Sequence, residues 1–174
     1  MKKQIESRHP FRWWYAAIIF VVANLINALP AGWGGNEVFY NSFQQPALAP
    51  PDWLFPPMWV FLNLTSLIAL YIVANSREQT PRKRVFLILE TFGWVLFAIF
   101  TTLYFGLNSP ILGAIDTVAG LVVAIASLIC CYPISRKASL LILFRLLWLV
   151  LASYVSVYVA LYNGDPFFQQ MGNW

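Results

Sequence analysis

Charge is what this sequence has least of. Asp, Glu, Lys and Arg fill 10% of its 174 positions and hydrophobic residues 60%, whereas a soluble domain carries roughly a quarter charged residues. That excludes a water-soluble core as the organising feature. Cysteine is scarce too: only Cys130 and Cys131 occur. Neighbours on a helix point in different directions, so this pair supports neither a disulfide framework nor a metal site and reads as packing. The single histidine, His9, lies in a basic leader with no Cys, Asp or second His nearby, so no metal site is expected. Also missing are a Ser-His-Asp set, a Gly-rich phosphate loop and paired carboxylates at one depth, so conventional catalysis is not indicated.

What is present is apolar length. Crossing a bilayer takes about 20 apolar residues, and five such stretches are expected at 13–30, 53–75, 85–107, 110–132 and 139–163. They predict an all-α membrane protein, a five-transmembrane-helix bundle forming a single domain over 1–174. The polar, basic start runs into the first apolar stretch without a small-residue cleavage signature, so that stretch is expected to be a retained helix rather than a signal peptide. The connection 31–52 is the only long one and is rich in Pro, Gly and aromatics, as suits a loop with a role of its own.

The few charges sort by side. Lys2, Lys3, Arg8 and Arg12, then Arg77, Arg82, Lys83 and Arg84, then Arg136 and Lys137 flank one side of the expected bundle, while Glu37, Asp52 and Asp165 mark the other. Because Lys and Arg accumulate on cytoplasmic flanks, a cytoplasmic amino terminus and a carboxyl terminus on the opposite side are expected. The net charge of +4 is accounted for by this topology and calls for no nucleic-acid partner. Trp13, Trp14, Trp33, Trp53 and Trp174 fall near expected interfaces, where indole rings anchor.

Small and polar residues mark the faces on which helices pack in lipid. Gly113, Asp116, Gly120, Ala124 and Ser127 share one face of the fourth stretch, and Arg145, Trp148, Ala152, Ser156 and Asn163 one face of the fifth. The first offers Ala17, Asn24, Ala28 and Ala31, and the second Pro56, Trp59, Asn63 and Ala74. Tyr154, Tyr158 and Tyr162 form a separate stripe, open to lipid, a partner subunit or a neighbouring helix. Three ionisable residues lie inside spans: Glu90, Asp116 and Arg145. Each is costly against lipid and must turn inward. Glu90 and Arg145 fall at nearly equal depth, roughly 8–9 Å in, and predict a structural ion pair. Asp116 has no cation within reach and must be hydrogen-bonded, protonated or facing a polar cavity.

One segment carries a motif. Phe39-Tyr40 is followed by Pro46 and then by Pro50, Pro51, Asp52, Trp53, Leu54, Phe55, Pro56, Pro57, Met58 and Trp59. This resembles the signature of the TspO/MBR family (translocator protein, tryptophan-rich sensory protein): an aromatic pair, a Lys-Pro, then Pro-Pro-x-Trp and a following Trp. Tyr104-Phe105-Gly106 resembles the family's Phe-Phe-Gly, and Trp148 and Asn163 resemble the ends of its Trp-to-Asn pattern. The chain departs from the family at Gln45, where Lys is usual, at Phe97 and Phe100 in place of Asn and Trp, at Phe144 in place of Pro, and at Ser156 in place of Asn.

The resemblance implies a cavity capped by the first loop that takes a flat, apolar ligand, since the family is known for binding porphyrins and other tetrapyrroles, sterols and synthetic aromatics. It implies ligand contacts at Phe39, Tyr40, Pro46, Pro51, Trp53, Trp59, Asn63, Asp116, Trp148, Ser156 and Asn163. Trp53, Trp59 and Trp148 would be aromatic walls and Asn63, Asp116 and Ser156 orienting groups, although Trp in membrane helices is more often an anchor. The expected role is a binder, sensor or carrier of a tetrapyrrole (porphyrin, haem precursor or chlorophyll-type) or of a lipid, sterol or isoprenoid, with no cofactor required. The alternative is an accessory subunit of a larger membrane complex, such as a pigment–protein or respiratory assembly. Porphyrin photodegradation, associated with the family, is a third reading. Membrane lipids and a homodimer are the other partners implied.

Overall fold

Prolines and serines set where the helices begin. In the computed structural model, which describes residues 10–30, 36–77 and 79–171, the long helices are α1 (Trp13–Ala28), α3 (Phe55–Ala74), α4 (Pro81–Thr101), α5 (Pro110–Cys131) and α6 (Arg136–Tyr162), with two short ones, α2 (Asn36–Asn41) and α7 (Pro166–Met171). Proline occupies the first turn of α3, α4 and α5, where its missing amide hydrogen is not needed. Ser109 and Ser135 cap α5 and α6, their hydroxyls accepting from the Leu112 and Ala138 amides. No strand occurs among the described residues.

Four of these helical stretches are long and apolar enough to cross a membrane; α1, with 16 residues, is apolar but shorter. Each long helix leans on its neighbours in the order α1, α4, α5, α6, α3 and back to α1, closing a ring. The dry core lies toward the end of the ring that bears Arg77, Arg82 and Arg136. Phe86, Val73, Ile142, Ala138 and Cys131 are fully buried there. Cys131 is the packing residue its sequence context suggested, with Sγ 3.3 Å from the Ser139 hydroxyl.

At the opposite end a buried carboxylate ties two helices together. Asp165 accepts from the Ser109 hydroxyl (2.7 Å) and the Ile111 amide (2.9 Å) at the start of α5, and from the Phe168 amide (3.1 Å) at the start of α7. Negative charge suits both positions, where amide donors are otherwise unpaired. The turn before α5 passes through Asn108 at φ 52°, a left-handed conformation that Asn tolerates.

Several boundaries correct the sequence expectations. Helix α4 starts at Pro81 rather than 85, because Arg82, Lys83 and Arg84, taken for a flank, are its first turn; Lys83 is buried and its ammonium donates to the Ser76 carbonyl at 2.8 Å. Past Thr101 the chain widens into a π turn, Thr102–Gly106, instead of continuing as α-helix to 107. The 31–52 connection contains α2, and α7 follows the last span; at six residues each they are too short to leave a periodic signature. Ala17, expected on a packing face, is exposed, and Ala23 is the buried residue of α1. The expectations for Lys2, Lys3, Arg8, His9, Ala31, Trp33 and Trp174, and for the side chain of Glu37, lie outside the described residues.

Candidate functional site

The loop-side half of the ring is hollow. A cavity of about 600 Å³ runs between all five long helices, with mostly apolar walls, in the range of small-molecule sites. Rings from two helices pack together on its wall. Trp59 of α3 meets Phe97 of α4 at 5.5 Å, and Phe97 meets Trp94 edge-on at 5.8 Å. Phe100 stacks on Tyr104 at 5.6 Å with the ring planes 9° apart. That stack is held from behind: a methyl group at Gly113 would stand 2.5 Å from the Tyr104 ring, so α5 approaches Tyr104 this closely only because residue 113 has no side chain.

The first loop supplies the mouth of the cavity with Tyr40, Asp52 and Trp53. It is fastened at several points. The Tyr40 hydroxyl donates to the Pro50 carbonyl (3.1 Å), the Gln45 amide to the Tyr40 carbonyl (2.8 Å) and the Asn41 amide to the Asp52 carboxylate (2.9 Å). The other Asp52 oxygen accepts from the Trp53 amide at 2.7 Å, within the 3-10 turn Asp52–Leu54 that leads into α3. Burial first, and the Asp52 charge second, push the Tyr40 hydroxyl above the usual tyrosine range, so it stays a neutral donor. At the far side Asn163, closing α6, grips the loop main chain with both ends of its amide: its oxygen accepts from the Gln44 amide at 2.8 Å and its nitrogen donates to the Gln44 carbonyl at 3.2 Å.

Deeper in, Arg145 stands at the cavity floor with Glu90 paired to it from behind. Both carboxylate oxygens meet the guanidinium, at 2.9 and 2.5 Å, Glu90 is fully buried, and Arg145 also donates to Ser66 at 3.3 Å. Each lies nine residues past the first residue of its helix, Pro81 or Arg136. That depth is roughly 13–14 Å, greater than the earlier boundaries implied, and equal for the two. Above the pair, three buried polar atoms have no hydrogen-bond partner among the described residues: Asn63 Nδ2, Trp94 Nε1 and Asp116 Oδ1. All three residues line the cavity.

Of the residues singled out in the sequence, Tyr40, Trp53, Trp59, Asn63, Asp116 and Ser156 come together on the cavity wall. Ser156 is joined to Thr117 by a long hydroxyl contact of 3.4 Å. The others stand off it. Trp148 is buried, but its ring packs edge-on against Phe55 at 5.7 Å, and Phe55 is the residue that reaches the cavity. Phe39 is likewise one layer back, against Tyr104 and Phe105 at 5.3 and 6.0 Å. Pro46 is buried in the loop, Pro51 is exposed beside Asp52, and Asn163 is occupied by Gln44. Phe144 pairs with Phe61 at 5.4 Å, with both residues nearly half exposed.

Sequence reasoning missed Trp94, Asn27 and Thr101. The Asn27 amide donates to the Phe97 carbonyl at 2.6 Å, and the Thr101 hydroxyl to the Asn27 carbonyl, tying α1 to α4 along the cavity. Signals for them existed. Trp94 is one turn beyond Glu90, and Asn27 nearly one beyond Asn24, on faces already taken to point inward.

Comparison with known proteins covers the same ground. The TspO/MBR family model matches residues 15–162. Two proteins named "Tryptophan-rich protein TspO" are similar. That of Chlorobaculum tepidum is 30% identical over 127 residues, 73% of this chain and 77% of the relative. That of Archaeoglobus fulgidus is 29% identical over 153 residues, 84% of this chain and 98% of the relative. The matched range takes in the four membrane-length helices and the loop that fastens over the hollow, so this chain is an integral, multi-pass membrane protein belonging to the TspO/MBR family.

Proposed function

We propose that this protein binds a hydrophobic, planar or fused-ring molecule within the bilayer, tetrapyrrole-like or sterol- and isoprenoid-like, as a sensor or carrier. The observation that carries the proposal is the cavity: about 600 Å³, walled by aromatic rings and bordered at its mouth by a loop hydrogen-bonded to both itself and α6. Flat ligands gain from such walls through ring stacking as well as from leaving water. In this reading α1 is a fifth crossing. Its 16 residues cover about 24 Å, short of the roughly 30 Å hydrocarbon core, a mismatch that local thinning and the exposed interfacial rings of Trp13 and Trp14 accommodate. Arg12, Arg77, Arg82, Arg136 and Lys137 at one end of the ring favour that end as cytoplasmic, with the loop and cavity mouth on the opposite side.

The test is a titration of purified protein with protoporphyrin IX in detergent. Saturable quenching of Trp fluorescence is expected, weakened about tenfold or more by Trp59→Ala, because each buried aromatic face contributes on the order of 1 kcal/mol or more. Absence of saturable binding, together with co-purification with a large assembly in mild detergent, would favour an accessory subunit instead. The outward-facing Phe61–Phe144 pair and the stacked Tyr158–Tyr162 pair are what that second reading rests on.

A further inference from the structure

The charges around the cavity bear on which ligands it accepts. Asp52 and Asp116 both line it, and among the described residues Arg145 is the only cation on the wall. Arg145 is already neutralised by the two oxygens of Glu90. Among the described residues a ligand therefore meets acid without a paired cation and no available positive charge on the wall. Gln45, in the loop, holds the Tyr40 carbonyl and adds no charge.

Hydrogen bonding points the same way. Asn63, Trp94 and Asp116 are each at least nine-tenths buried, and each presents an unpartnered polar atom. They lie on three different helices and at two depths. Gly93 packs against Val123, seven residues deeper along α5 than Asp116, so Trp94 lies roughly 9 Å below Asp116. Asn63, less than one turn above the Ser66 that Arg145 contacts, lies nearer the level of Trp94. The result is two donors low and one acceptor higher in an otherwise greasy chamber. An unpaired buried polar group is costly, and a bound molecule that satisfies it removes that cost.

We infer that the cavity prefers uncharged ligands carrying both a hydrogen-bond donor and an acceptor, an N–H or O–H for Asp116 and a carbonyl, ether or hydroxyl oxygen or ring nitrogen for Asn63 and Trp94, and holds their carboxylate counterparts more weakly. This rests on the cavity being a ligand site, as proposed above. A carboxylate entering beside Asp116 would place two acids in one apolar space with no free cation among the described residues that line it, favouring uptake of a proton by one of them. A neutral donor instead completes the Asp116 shell.

Matched probes isolate the charge. Protoporphyrin IX and its dimethyl ester share the macrocycle and its N–H donors but differ in the two carboxylates; farnesol and farnesoic acid form a second pair without a macrocycle. In Trp-quenching titrations the neutral member of each pair that binds should be tighter by roughly tenfold to a hundredfold, the scale of a hydrogen bond to a charged group. Asp116→Asn should shrink that ratio to near one, while Asn63→Leu should weaken both members and leave the ratio standing. If the acid binds as tightly as its neutral partner, or if Asp116→Asn leaves the ratio unchanged, the selectivity inference is wrong while the ligand-binding reading survives. If neither pair binds, both fall together.

Discussion

Removing the carboxylate of Glu90 while leaving Arg145 in place should destabilise the protein far more than removing both. Glu90 has no solvent exposure and the Arg145 side chain only 11%, and the carboxylate takes both of its guanidinium contacts, at 2.9 and 2.5 Å. In Glu90→Leu the guanidinium keeps Ser66, 3.3 Å away, as its remaining hydrogen-bond partner among the described residues. An uncompensated buried charge of this kind costs about 3–5 kcal/mol, whereas exchanging a whole buried pair for apolar groups of similar volume is often neutral. Glu90→Leu and Arg145→Met should therefore each lose about 3–5 kcal/mol, and the double variant should return to within about 1–2 kcal/mol of the parent. The assay is reversible unfolding by dodecyl sulfate in dodecylmaltoside micelles, followed by intrinsic fluorescence. The double-mutant cycle isolates the pair because each single change creates the orphan charge that the double change removes. A Glu90→Leu variant within about 1 kcal/mol of the parent would refute the buried-charge reasoning. So would a double variant no better than the worse single one.

Two further outcomes follow from contacts at the loop end. Gly113→Ala introduces a methyl group 2.5 Å from the Tyr104 ring and should cost about 1–3 kcal/mol by overpacking, measured as a lower melting temperature in detergent; an unchanged melting temperature would show that Tyr104 can move aside freely. Asn163→Ala removes both hydrogen bonds to the Gln44 main chain, together worth about 1–3 kcal/mol of local closure, so limited proteolysis within the first loop should speed up roughly tenfold with little change in global melting.

Which parts of the molecule the sequence disclosed depends on how each was encoded. The long helices were legible because apolar runs of membrane length have few other uses, and the ion pair was legible because two opposite charges stranded at equal depth have few other partners. Equal depth survived the error in both helix starts because Pro81 and Arg136 lie almost equally far ahead of the boundaries expected. The start of α4 was misplaced because basic residues signal an interface regardless of whether the backbone there is already helical. Asp165 was read as a surface acid; its role in joining α5 to α7 depends on the close approach of residues 109 and 165, a distance that no local pattern records.

The site was only half legible for a related reason: facing inward is not the same as facing the hollow. Helical periodicity correctly placed Trp148 in the interior, where it is 7% exposed, yet Phe55 stands between it and the cavity. Conversely, Phe97 and Phe100 stood out as departures that had lost polar groups, and the structure puts both on the cavity wall, opposite Trp59 and beneath Tyr104. Having phenyl rings there in place of Asn and Trp does not abolish the chamber. It makes the wall more apolar, and so concentrates the directional bonding onto the few polar atoms left without partners, Asn63, Trp94 and Asp116. In a medium of low dielectric those few atoms weigh more than they would in a polar pocket. Discrimination among flat apolar ligands is then set by the groups that remain, and changing one atom at Asp116 is expected to alter which ligand is held more than changing any ring around it.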